Sequence, residues 1–275
     1  ALNQNTKAAY LAVDSIAGTA TEFELGSIFS RGGYLAAIGS WTVDAGAGID
    51  DLAVFISSKG QAALYQGTNP GDADSWSLIG VFDLGAPIGR RCLLKVGGDL
   101  ALITIDAVVP LSQAIALDRG AVNRVAITAR ISERMNAAAR DWAGNFGWQL
   151  IAYPRGTKAI LNVPTFEGIS AEQYVMNTLT GAWCRYTRIN AMCWEVFQDR
   201  LFFGGTGGAV YEADMGALDG ENPIAAEMVC AFNYYGSPGR LKQWTMIQPL
   251  ITADGRVTPS LGMDTDFKVS PVTTP

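Results

Sequence analysis

The chain has 275 residues, 49% of them hydrophobic and 17% charged, which is a globular composition and not a disordered one. Its 20 Lys and Arg stand against 26 Asp and Glu, a net charge of −6 that argues against a surface built to grip phosphates. Histidine is absent, which excludes Ser-His-Asp and Cys-His catalysis and the zinc and iron sites that depend on imidazole.

The N-terminal stretch "ALNQNTKAAYLAVDS" lacks the basic start and apolar core of a signal peptide and begins, without Met, close to a strand-like run. The expectation is that further sequence precedes it. The first half then reads as strands and turns. "FELGSIFSRGGYLAAIGSW" (23–41) is two apolar runs around Arg31-Gly32-Gly33, and "DLAVFISSKGQAALYQG" (51–67) is two runs around Ser58-Lys59-Gly60. "WSLIGVFDLG" (76–85) is a short strand, and "CLLKVGGDLALITIDAVVPLS" (92–112) turns at Gly97-Gly98-Asp99. Short β-branched and aromatic runs broken by glycine turns are the mark of hairpins.

Residues 113–143 break that rhythm. Ile127, Ile131, Met135, Ala138 and Trp142 recur at helical spacing, so an amphipathic helix is expected over about 121–143, with Gly144 as its stop. Arg130, Glu133, Arg134 and Arg140 fall on its outer face, to be solvated or to meet a partner. Hairpins resume at 147–164, 172–187 and 191–214. Residues 227–267 are expected to give three longer strands, so that a β-rich domain over 1–225, with the 113–143 insertion, precedes a C-terminal β unit over 226–275. A turn–strand–break–strand rhythm recurs in "GGYLAAIGSW", "GGDLALITIDAVVPLS" and "QDRLFFGGTGGAVYEAD", with Trp76 and Trp183 opening edge strands ahead of the later units. The fold class expected is mainly β: a β-propeller-like array of short antiparallel blades, or alternatively a β-sandwich.

Few residues offer chemistry. Four glycines in "LFFGGTGGAVYEAD" (201–214) lack the Lys and the following helix of a phosphate loop, so they read as a turn between strands. Asp214, Asp219, Glu221 and Asn222, and also Asp72 and Asp74, are oxygen donors around turns, but without the spacing of a calcium loop. Asp50, Asp51 and Glu195 are acids of the kind a glycosidase pairs, yet nothing in the sequence brings two together. Arg90-Arg91 could bind an anion or a neighbouring subunit, or form surface ion pairs. Cys92, Cys184, Cys193 and Cys230 form no C-x-x-C pair and read as buried reduced thiols. No catalytic, cofactor-binding or metal residue is assigned, and no apolar run reaches the ~18 residues of a membrane span.

Residues 50–119 ("DDLAVFISSKGQ…AIALDR") and 174–216 ("YVMNTLTGAWCRY…YEADMG") resemble proteins encoded in tailed-phage and prophage structural gene clusters. More loosely, most of 20–250 is similar to the β-propeller tail nozzle or hub proteins of short-tailed phages. The resemblance is one of rhythm and carries no catalytic motif. It implies a non-enzymatic virion tail protein, assembled in the host cytoplasm. Copies would form a ring, often hexameric, with other tail or neck proteins, and packaged DNA would pass an acidic wall without specific binding. A host-surface propeller that binds or cleaves glycans is the alternative.

Overall fold

The computed structural model describes residues 5–12, 15, 17–44, 49–216, 218–219, 222–223, 228–253, 255 and 257–268. Its contacts divide the chain into Ala1–Met215 and Gly216–Pro275.

The first unit is mainly β, built from small antiparallel sheets whose strands follow chain order. Strands β1 (Lys7–Tyr10) and β2 (Thr21–Glu24) form a ribbon. Then β3 (Leu35–Asp44), β4 (Ile49–Ser57), β5 (Gln61–Gly67) and β6 (Trp76–Asp83) form a four-stranded meander. A three-stranded meander comes next, β7 (Leu93–Val96), β8 (Asp99–Ile103) and β9 (Val108–Pro110). After a helical segment the pattern repeats: β10 (Gln149–Tyr153), β11 (Lys158–Phe166), β12 (Ser170–Asn177) and β13 (Trp183–Tyr186) make four strands, and β14 (Ala191–Phe197), β15 (Arg200–Gly205) and β16 (Val210–Ala213) make three. The turns are those the glycines announce: Gly60, Gly97, Gly181 and Gly208 all have positive φ, which L side chains resist. Trp76 and Trp183 each open the fourth strand of their sheet.

Successive sheets pack through their first strands. Arg91, just before β7, bridges in parallel to Gln149 at the start of β10. Gln149 then clamps β14: its Nε2 donates to the Trp194 carbonyl (2.8 Å), and its Oε1 accepts from the Trp194 amide (2.9 Å). Asn162 ties the same two sheets from within. Its Nδ2 donates to the carbonyls of Gly147 and Ala191, and its Oδ1 accepts from Gln173 Nε2 and Trp194 Nε1 (both 2.9 Å). A buried amide with all its bonds made fixes register where an apolar side chain would allow slippage. The main core gathers Val54, Ile56, Leu64, Leu102, Met135, Trp148 and Leu161 from both four-stranded sheets, the first three-stranded sheet and the helical segment.

Aromatic rows cross two of the sheets. In the first four-stranded sheet Phe55, Tyr65 and Trp76 run from β4 to β6, with ring centres 5.7 and 5.4 Å apart. In the second three-stranded sheet Trp194, Phe203 and Tyr211 run from β14 to β16, with both spacings 5.1 Å.

Three expectations need correction. The apolar runs around Arg31-Gly32-Gly33 are not a hairpin: β2 pairs with β1 and β3 pairs with β4, while Leu25 and Phe29 between them are buried. The helix expected over 121–143 forms only in its second half. A short α1 (Leu111–Ala114) and 3₁₀ turns at Arg119–Arg124 and Ala129–Ile131 precede α2 (Ser132–Trp142). The β9 edge explains the break, since the Ile127 amide donates to the Val108 carbonyl and Thr128 Oγ1 accepts from the Val108 amide, drawing 127–128 out of helical bonding. The predicted inward face is nonetheless the one used, with Met135 and Ala138 buried and Ile127, Ile131 and Trp142 packed on the core.

The third correction concerns Gly216–Pro275. Apart from the ribbon β17 (Leu218–Asp219) and β18 (Asn222–Pro223), its described residues form no strand, where three were expected over 227–267. Their apolar side chains find no sheet partner; Met228, Leu241, Met246 and Leu250 are all at least three-quarters exposed. Its described residues include small ring contacts, Phe232 and Tyr234 with Phe267 and Tyr235 with Trp244.

Candidate functional site

A group of charged and aromatic side chains lies where α2 crosses β12 and β13. Strand β12 alternates: Ala171, Gln173 and Val175 take one face, and Glu172 and Tyr174 take the other. Glu172 is buried, yet its Oε1 accepts from Arg134 Nη2 (2.6 Å) and from the Tyr174 hydroxyl (2.7 Å). Arg185, opposite Tyr174 on β13, brings Nη1 to 3.8 Å from the other oxygen. The Arg134 guanidinium lies 5.8 Å from the rings of both Trp142 and Tyr174.

Burial pushes the Tyr174 hydroxyl far above its ordinary range, and its bond to Glu172 pushes the same way. The same carboxylate raises Arg134. Burial also raises the Cys184 thiol, against the charge of Lys158. An open cleft of 340 Å³ lies over this cluster, lined by Ile131, Arg134, Tyr174, Trp183, Cys184 and Arg185. No carboxylate stands among these lining residues; Arg134 is committed to Glu172 beside the cleft, while Arg185 has spare donors, so the cleft suits an anionic group carried on a flat or apolar body.

The acids marked in the sequence do not meet there. Asp51 on β4 accepts from Thr42 Oγ1 (2.7 Å), and Glu195 on β14 bonds the neighbouring Val196 amide. The Asp50 side chain lies outside the described residues. Asp72 accepts from the Asp74 amide in an exposed turn, and Asp214 pairs with Lys158 at 2.6 Å. The Asp219 side chain and Glu221 lie outside the described residues. Among the described residues no three of Cys, Asp and Glu come close enough to hold a metal ion. Arg91 donates to Gln149 Oε1 and lies over Phe146, with no acid as partner among the described residues. Of the thiols, Cys92 is buried as expected, but Cys184 and Cys230 are exposed.

The glycines of 204–208 serve two purposes. Gly204 and Gly205 end β15 where a Cβ would meet Cys193 Sγ at 2.9 Å and the Tyr211 ring at 2.7 Å; Gly207 and Gly208 make the turn into β16. The next element is that strand and not a helix, so the dipole and amide cradle of a phosphate loop are not formed here.

No family model and no curated protein matches the chain. No helix among the described residues is long and apolar enough to cross a membrane.

Sequence reasoning placed Arg134 on the outer face of a helix and Trp183 at a strand start, but it missed Glu172. The signal available was an acid inside a strand-length run, two residues before a Tyr on the same face.

Proposed function

We propose that the chain is a non-enzymatic structural subunit of a tailed-phage virion. Its sheets act as the blades of a β-propeller-like array, and its copies join one another and other tail or neck proteins in a ring or tube around a DNA channel. The observation that carries this reading is the set of exposed apolar side chains among the described residues of 228–263, including Met228, Leu241, Met246, Leu250 and Leu261. Lone soluble chains rarely leave so much apolar surface open, and such surfaces mark assembly contacts. The chain-order meanders, joined through neighbouring first strands, are what a blade array requires. The net charge of −6 favours passage of DNA over its capture.

A host-surface glycan binder is the second reading, favoured by Trp183 and Tyr174 around the cleft. Native mass measurement separates the two. Assembly predicts multiples of 29.2 kDa; a stable monomer that retains glycans would sink the structural reading.

A further inference from the structure

The arginines around the α2–β13 cleft divide into committed and free donors. Arg130 Nη1 donates to the Gly181 carbonyl (3.0 Å) and more weakly to that of Thr180 (3.4 Å), in the turn before β13. Arg134, in α2, donates to Glu172 on β12 and lies over the Trp142 and Tyr174 rings. These two arginines fasten the helical segment to the sheet on either side of Ile131 in sequence, so the cleft walls are set before any ligand arrives. Arg185 is different. Glu172 Oε2 is 3.8 Å from its Nη1, too far for a hydrogen bond, and the side chain is half exposed. It keeps a planar fork of donors for a partner from outside.

Strand alternation puts Trp183 and Arg185 on one face of β13, about 7 Å apart along the strand. Trp183 and Tyr174 supply ring surface and Ile131 an aliphatic one, so apolar walls stand around the free guanidinium. The volume, 340 Å³, is at the small end for ligand sites and suits a single ring. Charge points the same way. Arg134 and Arg185 face one carboxylate, Glu172, and Glu133 of α2 does not line the cleft. The cleft therefore carries an unbalanced positive charge on a chain whose net charge is −6. An inorganic anion would use that charge and leave the ring walls idle; a neutral ring would do the reverse.

We propose that this cleft binds a carboxylate carried on a six-membered ring, with the acid forked on the Arg185 guanidinium and the ring against Trp183. A sugar acid and an aromatic acid share this chemistry. The site lies within Ala1–Met215, so it goes beyond the assembly reading and does not rest on it.

Ligand-observed NMR titration of the full chain with glucuronate and with benzoate tests the proposal. Each should fill one saturable site with a dissociation constant of about 1 mM or below, and each should displace the other. Either order of affinity supports the proposal: glucuronate ahead assigns the site to a sugar acid, benzoate ahead to an aromatic one. Acetate, with the charge alone, and glucose, with the ring alone, should bind at least about tenfold more weakly. Arg185→Gln should weaken both acids at least about tenfold, and Arg185→Lys should restore only part, because an ammonium lacks the fork. Trp183→Ala should weaken them by about tenfold and Trp183→Phe by less. Arg200→Gln, which breaks an ion pair with Glu212 on another sheet, should leave binding unchanged. Unaltered thermal unfolding of the Arg185 variants shows that they fold. No saturable binding up to about 10 mM, acetate or inorganic phosphate binding as tightly as the ring acids, or wild-type affinity in Arg185→Gln overturns the proposal. None of these outcomes turns on the native mass, so failure here leaves the assembly reading standing.

Discussion

The two three-stranded sheets occupy equivalent places in a repeated four-then-three pattern, but the chain leaves them along different courses. After β9 it enters the helical segment, which returns to the core through Met135, Ala138 and Ala139. After β16 it enters Gly216–Pro275, whose described apolar side chains are exposed. Both stretches carry apolar side chains. The first concentrates its apolar residues on one face at helical spacing, so a single chain can bury them at once. The second carries them on described backbone without regular secondary structure, where strand-like burial needs a neighbouring strand. Hydrophobic content alone therefore does not decide whether a segment forms a regular element; the period does.

Substitutions can break this comparison, and the largest effect should come from the anchor of the first stretch. Met135 is fully buried, so Met135→Ala should lower unfolding free energy by about 2–5 kcal/mol, whereas Met246→Ala in the free chain should change it by less than about 0.5 kcal/mol. Equal effects in urea melts would erase the distinction. Next, Asn162→Ala strips partners from Trp194 Nε1 and Gln173 Nε2 between the second pair of sheets, with an expected loss of about 3 kcal/mol by denaturant titration.

The third effect depends on pH. Burial raises the Cys92 thiol from 9.0 to about 11. The native chain holds this proton more tightly than the unfolded chain, so the stabilisation is fully present below pH 9 and is lost as pH rises through about 11. The fall should amount to about 2–3 kcal/mol, and Cys92→Ala should shrink it. Exposed Cys230, in the second stretch, should instead react at once with a thiol reagent while Cys92 is silent. The smallest effect tests the edge cover: Thr128→Val leaves the Val108 amide without its acceptor and should lose about 1–2 kcal/mol.

Much of the sheet architecture could be read from residues. The turns at Ser58-Lys59-Gly60, Gly97-Gly98 and Thr180-Gly181 join the strands expected of them, because turn chemistry is local. The same local reading failed at Arg31-Gly32-Gly33, where Leu25 and Phe29 are apolar for packing and not for pairing. It failed again at 125–131, where Val108, some twenty residues away, competes for the backbone. It failed most in 227–267, since strand-forming residues make a strand only with a partner, and propensity cannot say whether one exists. The cleft was half legible: helical spacing put Arg134 on the outer face, but its meeting with Glu172 and Arg185 depends on how α2 crosses the sheet.

Hydrogen exchange on the free and assembled protein tests the central contrast most directly. The helix α2 and strand β9 should be protected in both states. Residues 241–248 should exchange quickly in the free chain and gain protection on assembly. Protection of 241–248 already in the free chain, or none in the assembly, would contradict the account.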